Sequence, residues 1–274
     1  MDATKVFSPF RLNPKDNKKI TEIKFSNFCA NMKIFEQELD LSNLIKLSLK
    51  NNNINDISIL TNFKFDNLEK LNLNSNQLGD DMINKIAEIK ASNLKNLNLS
   101  FNYFTDFKLF KAIEHFKCLE IFKMETNPFN EDVDIKKIND QYNFCAMKKL
   151  YLSNGIFCNE TIGLLTKFFF SHLEVLDISS NNIESLKFFY NLQFINEENK
   201  KMANNDIPLK EIYLNNGDIT NNELDCFSQF PNLEKIELKN NLIEKYDTLK
   251  GIRSYLANNN KCRIIAWENP IENL

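Results

Sequence analysis

From residue 20 to the end, one order of apolar and polar positions recurs: apolar, two free, apolar, one free, apolar, two free, asparagine, one free, apolar. It is plainest at Leu44-Leu47-Leu49-Asn52-Ile54, Leu68-Leu71-Leu73-Asn76-Leu78, Leu94-Leu97-Leu99-Asn102-Phe104, Leu173-Leu176-Ile178-Asn181-Ile183 and Leu233-Ile236-Leu238-Asn241-Ile243. Leu119-Phe122-Met124-Asn127-Phe129 is a bulkier copy, and Ile20-Ile23-Phe25 and Ile264-Ala266-Asn269-Ile271 are degenerate ones at the ends. Met147-Leu150-Leu152-Gly155-Phe157 and Leu209-Ile212-Leu214-Gly217-Ile219 put glycine where the others have asparagine. Apolar residues around one free position predict a short strand with its inward side on a core. An asparagine buried at the following turn both donates and accepts, so it can satisfy backbone groups of adjacent coils. In the two glycine copies, Asn154 and Asn216 stand one place earlier and could take over this task on a backbone bent at the glycine, with simple descent of the two copies by duplication an equal alternative.

Between the strands, Gly79–Ile89, Thr105–Phe116 and Asn159–Phe170 carry helical spacing, with Thr105 as an N-cap and Phe168 and Phe169 on a helix's inner side. "INEENKKMANND" is polar and unpatterned, and reads as a loop extruded at residues 195–207. Copies start roughly 24 to 28 residues apart, with one longer interval between Leu173 and Leu209. The recurring motif resembles the leucine-rich repeat family over roughly nine tenths of the chain. That resemblance implies an α/β solenoid of about ten repeats, with a parallel sheet on the concave face and helices and irregular turns on the convex one. The helical convex segments are similar to ribonuclease-inhibitor-like repeats, which implies a strongly curved horseshoe. Residues 1–19, with Phe7, Phe10 and Leu12, are expected to cap a solenoid spanning 20–274, and Trp267 to cover part of its far edge.

Composition changes this picture little. The net charge is -3 and the pI near 5.6, which gives no electrostatic case for nucleic acid or an anionic membrane. The start of the chain does not read as a secretory signal, and no apolar run is long enough for a membrane span. Six scattered cysteines suit reduced thiols, so the expected location is cytoplasmic. The 24 phenylalanines are expected to fill the convex-side core, or, where exposed, to form a second interaction patch there.

The free positions of each strand point to the concave face. One such column runs Lys24, Ser48, Asn72, Asn98, Lys123, Tyr151, Asp177, Tyr213, Glu237, Ile265, and the column beside it includes Lys149, Glu211 and Lys235. Tyr151 and Tyr213 therefore flank Asp177, an arrangement that suits a basic or mixed peptide surface, although concave tyrosines also serve simply to cover a sheet. The partner-binding candidates are Tyr151, Asp177 and Tyr213 with Lys123, Lys149 and Glu211, and Trp267 at the last coil. A lysine-rich N-terminal half, interleaved with Glu22, Glu69, Glu120 and Glu125, reads as a solvated mixed-charge surface. The chain has no phosphate-binding loop, no metalloprotease helix and no paired Cys-x-x-Cys motif, and His115 and Cys118 lack further ligands by sequence logic. No cofactor, metal or small-molecule substrate is called for. The expected function is a noncatalytic protein-interaction module, an adaptor or structural subunit of an intracellular assembly that can be cytoskeletal. The alternatives are a regulator of a small GTPase, after the Ran GTPase-activating proteins that this architecture resembles, and a secreted effector holding a host protein.

Overall fold

The computed structural model describes residues 20–25, 32–36, 39–129, 138, 140–255 and 262–271. The expected cap over 1–19 lies outside them. The strands are β1 (Glu22–Lys24), β2 (Lys46–Ser48), β3 (Lys70–Asn72), β4 (Asn96–Asn98), β5 (Ile121–Lys123), β6 (Tyr142–Asn143), β7 (Lys149–Tyr151), β8 (Phe168–Phe170), β9 (Val175–Asp177), β10 (Gln193–Phe194), β11 (Glu211–Tyr213), β12 (Lys235–Glu237) and β13 (Arg263–Ile265). Ten of them form one sheet in chain order, all pairs parallel, with β6, β8 and β10 in a second parallel sheet. Each ten-stranded pairing keeps the register of the motif, for example Leu47 to Leu71 to Leu97 to Phe122. Those central residues are buried while their neighbours stay at least partly exposed, because alternate side chains of a strand leave on opposite faces.

The asparagine spine explains why the coils stack in this register. Asn76 Oδ1 accepts from the N–H groups of Asn52 (3.1 Å) and Ile54 (3.0 Å) in the preceding coil. Its Nδ2 donates to Leu49 O and Leu73 O, both at 2.9 Å. Asn102, Asn127, Asn181, Asn241 and Asn269 bridge their preceding coils in the same way. The residue just before each spine position has positive φ: Asn51, Ser75, Phe101, Thr126, Asn154, Ser180, Asn216, Asn240 and Glu268.

That conformation corrects the reading of the glycine copies. The bend lies at Asn154 and Asn216, not at the glycines, and neither asparagine enters the spine. Their side chains stay at the surface, where Asn154 Nδ2 donates to Thr126 Oγ1 (3.2 Å) and Asn216 Nδ2 to Ser180 Oγ (3.1 Å). Gly217 thus leaves Asn181 and Ile183 without the amide oxygen that serves their counterparts. A Cβ at Gly217 would meet Asn241 Oδ1 at 3.0 Å, so that this buried spine amide must give by a few tenths of an ångström, whereas one at Gly155 would lie 2.7 Å from the Phe157 ring. Gly217→Asn is therefore expected to add about 1 kcal/mol of stability and Gly155→Asn to remove about 1–3 kcal/mol, read from denaturant midpoints.

The convex side is less helical than its spacing predicts. The α-helices are α1 (Ile83–Glu88), α2 (Lys108–Ile113), α3 (Asn159–Ile162) and α4 (Tyr246–Tyr255), and other crossings use 3-10 turns such as Ser58–Asn62 and Leu224–Gln229. Helices about 10 Å wide cannot stack in every coil at a strand spacing of about 4.8 Å unless the stack bends, and narrower crossings relieve this. Thr105 is not an N-cap. Its N–H and hydroxyl both donate to the Asp80 carboxylate of the coil before, while Asp106 accepts from Lys108 N at 2.8 Å. Phe168–Phe170 is a strand, so Phe168 and Phe170 are buried and Phe169 only half so, reversing the expected helical face. Within 195–207, Ile195 and Ile207 are buried at the ends. The exposed middle closes as a turn in which Asn196 Oδ1 accepts from Glu198 N and Lys200 N, both at 3.0 Å.

Candidate protein-binding face

The parallel register carries Lys123, Tyr151, Asp177, Tyr213 and Glu237 across β5, β7, β9, β11 and β12 as one row. A second row holds Lys149, Val175, Glu211 and Lys235. The side chains bind one another along these rows. Lys123 Nζ lies 4.4 Å from the centre of the Tyr151 ring, and Lys235 Nζ 4.6 Å from that of Tyr213. The Tyr213 hydroxyl donates to the Glu211 carboxylate and accepts from Lys235 Nζ at 3.3 Å. Lys235 and Lys239 both pair with Glu237, at 2.6 and 2.9 Å, and Lys239 reaches to 5.1 Å from the Trp267 ring centre.

Six of the seven residues singled out from the sequence thus sit together. Trp267 stands apart from them, beyond β13 at the last coil and 55% exposed, and is tied to the network through Lys239. Sequence reasoning missed Lys235, Glu237 and Lys239 as members of the network. Lys235 and Glu237 stood in the concave columns already. Their signal was that Glu237 follows Tyr213, and Lys235 follows Glu211, in register by one coil.

Electrostatics separate two kinds of carboxylate here. Burial alone would raise Glu237, but hydrogen bonds from Lys235, Lys239 and Asn215 outweigh it and hold the carboxyl at about 2. A carboxyl depressed in the folded state stabilises the fold fully above its unfolded value of 4.5, and that contribution is lost as pH falls toward about 2. With only 9% of the side chain exposed, it is of the order of 3 kcal/mol. Glu237→Gln is expected to flatten the pH dependence of stability across that window in acid titrations followed by circular dichroism. Asp177 is the opposite case. Burial pushes it up despite the hydrogen bond from Ser179 N (3.0 Å), and the charges of Glu125 and Glu237 push in the same direction. Burial likewise raises Tyr151 and Tyr213.

The lysines of the N-terminal half are largely spoken for. Just before the strands, Glu69, Lys95, Glu120, Lys148, Glu174, Lys210 and Glu234 alternate in sign along successive coils. Pairs close at 2.8 Å (Lys95–Glu69), 3.1 Å (Lys148–Glu120) and 3.2 Å (Lys210–Glu174). Exposed pairs of this kind add little stability, but their alternation opposes a slip of register. Phe168, Phe170, Phe188 and Phe189 are buried, so the expected convex patch is not built from them. On that flank Tyr190 is exposed, and further exposed apolar side chains lie along the turn edge, at Phe101, Tyr103, Ile156 and Leu242.

The two histidines have structural partners. His115 faces Ala112 O (2.6 Å) and Ile89 O (3.2 Å) through its ring nitrogens. His172 Nδ1 donates to Cys145 O at 2.7 Å, as Asn67, Asn93 and Asn232 donate to carbonyls of their preceding coils at equivalent positions. Among the described residues, no three His, Cys, Asp or Glu side chains are grouped to hold a metal, Cys118, Cys145, Cys158 and Cys226 are free thiols, and no helix is long and apolar enough to cross a membrane.

A parallel sheet repeated coil by coil on an asparagine spine is a leucine-rich-repeat solenoid. No protein-family model matches the sequence, and no curated protein does. Among solved structures, the chain is similar to the functional domain of InlJ from Listeria monocytogenes, described as including a cysteine ladder. The TM-score is 0.50 at 17% identity, over 93% of this chain and 50% of that one, so this chain spans about half the neighbour's length. Internalin C2 of Listeria monocytogenes strain 4b F2365 gives a TM-score of 0.49 at 17% identity, over 93% of this chain and 84% of that one. The InlJ likeness is one of fold.

Proposed function

We propose that the chain is a noncatalytic protein-interaction module, an adaptor or structural subunit of a larger assembly, whose partner lies across the concave sheet over β5 to β12. The observation that carries this reading is the row Lys123, Tyr151, Asp177, Tyr213. It places two aromatic rings and a carboxylate on adjacent strands of a rigid, preformed surface. Tyrosine supplies contact area at small entropic cost and is enriched at interface hot spots. The strands beneath are fixed by backbone pairing and by the spine, so little ordering is lost on binding.

Tyr151→Ala together with Tyr213→Ala is expected to weaken capture of the native partners at least tenfold, as about 1.4 kcal/mol or more is lost at such anchors. Thermal stability should change little, because both side chains are partly exposed. The measurement is affinity purification from the native source, wild type beside the double variant, quantified by mass spectrometry. A partner set retained in full by the folded variant would remove the concave reading.

A further inference from the structure

On the concave reading just given, we infer that the space between Tyr151 and Tyr213 is a seat for one arginine side chain of the partner. The two rings stand two strands apart, which is about 10 Å at the strand spacing of a sheet. A cation midway would lie about 5 Å from each, inside the roughly 6 Å reach of a cation–π contact. Asp177 forms the floor of this gap, in register with both tyrosines.

Charge complementarity selects the occupant. Among the described residues, no lysine or arginine pairs with Asp177; its hydrogen-bond partner is Ser179, and the charges acting on it come from Glu125 and Glu237. A half-buried carboxylate without a counter-ion gains from a cation delivered by a partner, and the low-dielectric setting strengthens that contact. The cations on the flanking strands are committed elsewhere: Lys123 to the ring of Tyr151 from the β5 side, and Lys235 to the ring of Tyr213 and the carboxylate of Glu237 from the β12 side. Each tyrosine therefore already holds a cation toward its outer neighbour, leaving the Asp177 side for another. A guanidinium fits better than an ammonium, because it is planar, stacks on aromatic faces and gives a carboxylate two parallel N–H donors.

The test uses the full chain with ring-labelled tyrosine, followed by NMR, the Tyr151 and Tyr213 signals being assigned through their phenylalanine variants. The probes are N-acetyl-arginine methylamide and its neutral isostere N-acetyl-citrulline methylamide at equal ionic strength. Saturable shifts of both tyrosines are expected with the arginine probe, with the citrulline probe at least tenfold weaker. Asp177→Asn, which keeps an oxygen for Ser179 N–H, should abolish the preference. Equal binding of the two probes, no saturable shift, or an unchanged preference in Asp177→Asn would overturn the seat. If partner capture then still falls with the tyrosine double variant but not with Asp177→Asn, the concave face stands and the arginine seat alone is wrong.

Discussion

Phe168→Ala is expected to cost about 3–5 kcal/mol, while Phe169→Ala, one residue along the same strand, should cost about 1 kcal/mol or less. Phe168 is fully buried and touches rings from three segments of chain: Phe110 at 4.9 Å, Phe144 at 4.9 Å, Tyr142 at 5.3 Å and Phe170 at 5.9 Å between centroids. Truncation removes its transfer energy and leaves a void walled by other large rings, which have little freedom to collapse into it. Phe169 points to the other side of β8 and is half-buried. The comparison tests the element itself: on a helix with Phe168 and Phe169 inward, both truncations would be costly and Phe170→Ala mild. Urea unfolding of the three variants measures the order, and arginine-probe binding at the concave face should be unaffected by the Phe169 change.

The strand columns and the spine could be read from the sequence because each motif position answers to one physical demand, repeated coil after coil. Leu47, Leu71 and Leu97 face the core because alternate residues of a strand must, and Asn52, Asn76 and Asn102 are polar because a buried turn needs donor and acceptor together. The registered neighbours of Tyr151 followed from the same repetition. The convex side does not repeat in this way. Three residues such as Phe168–Phe170 contain too few positions to separate a period of two from one of 3.6, and β6 and β10 are shorter still. Side chains at the motif's free positions were also opaque. Asp80, Asn159 and Asn221 each accept from two backbone N–H groups of the next coil, yet a polar residue at a free position looks the same whether it bridges coils or meets water. The pairing of Lys123 and Lys235 with the two tyrosine rings depends on rotamers, which a linear pattern does not encode.

Asn181→Ala is expected to destabilise the protein by about 3 kcal/mol or more and to split its unfolding into two steps. The Asn181 amide oxygen accepts from Gly155 N (2.9 Å) and Phe157 N (3.1 Å), and its nitrogen donates to Leu152 O (3.1 Å), Ile178 O (2.8 Å) and Ser179 O (3.2 Å). The side chain is buried, so alanine strands several backbone groups at once, at about 1–3 kcal/mol for each that finds no substitute. Its place in the stack makes the loss worse. Glycine stands at the spine position of the coil before and of the coil after, so Asn181 alone carries the spine across this stretch. Solenoid stability is close to a sum of coil terms and nearest-neighbour couplings, and a weakened coupling in the middle lets the two halves melt independently. Asn181→Asp should be no better than alanine: its carboxylate still accepts from Gly155 and Phe157 but faces three carbonyl oxygens with no proton to offer. Scanning calorimetry reads both results, as a lowered and broadened or doubled transition. Combining Asn181→Ala with Gly217→Asn should not restore cooperativity, since the new amide bridges the coil of Asn181 to the one after it, while the broken link lies on the other side.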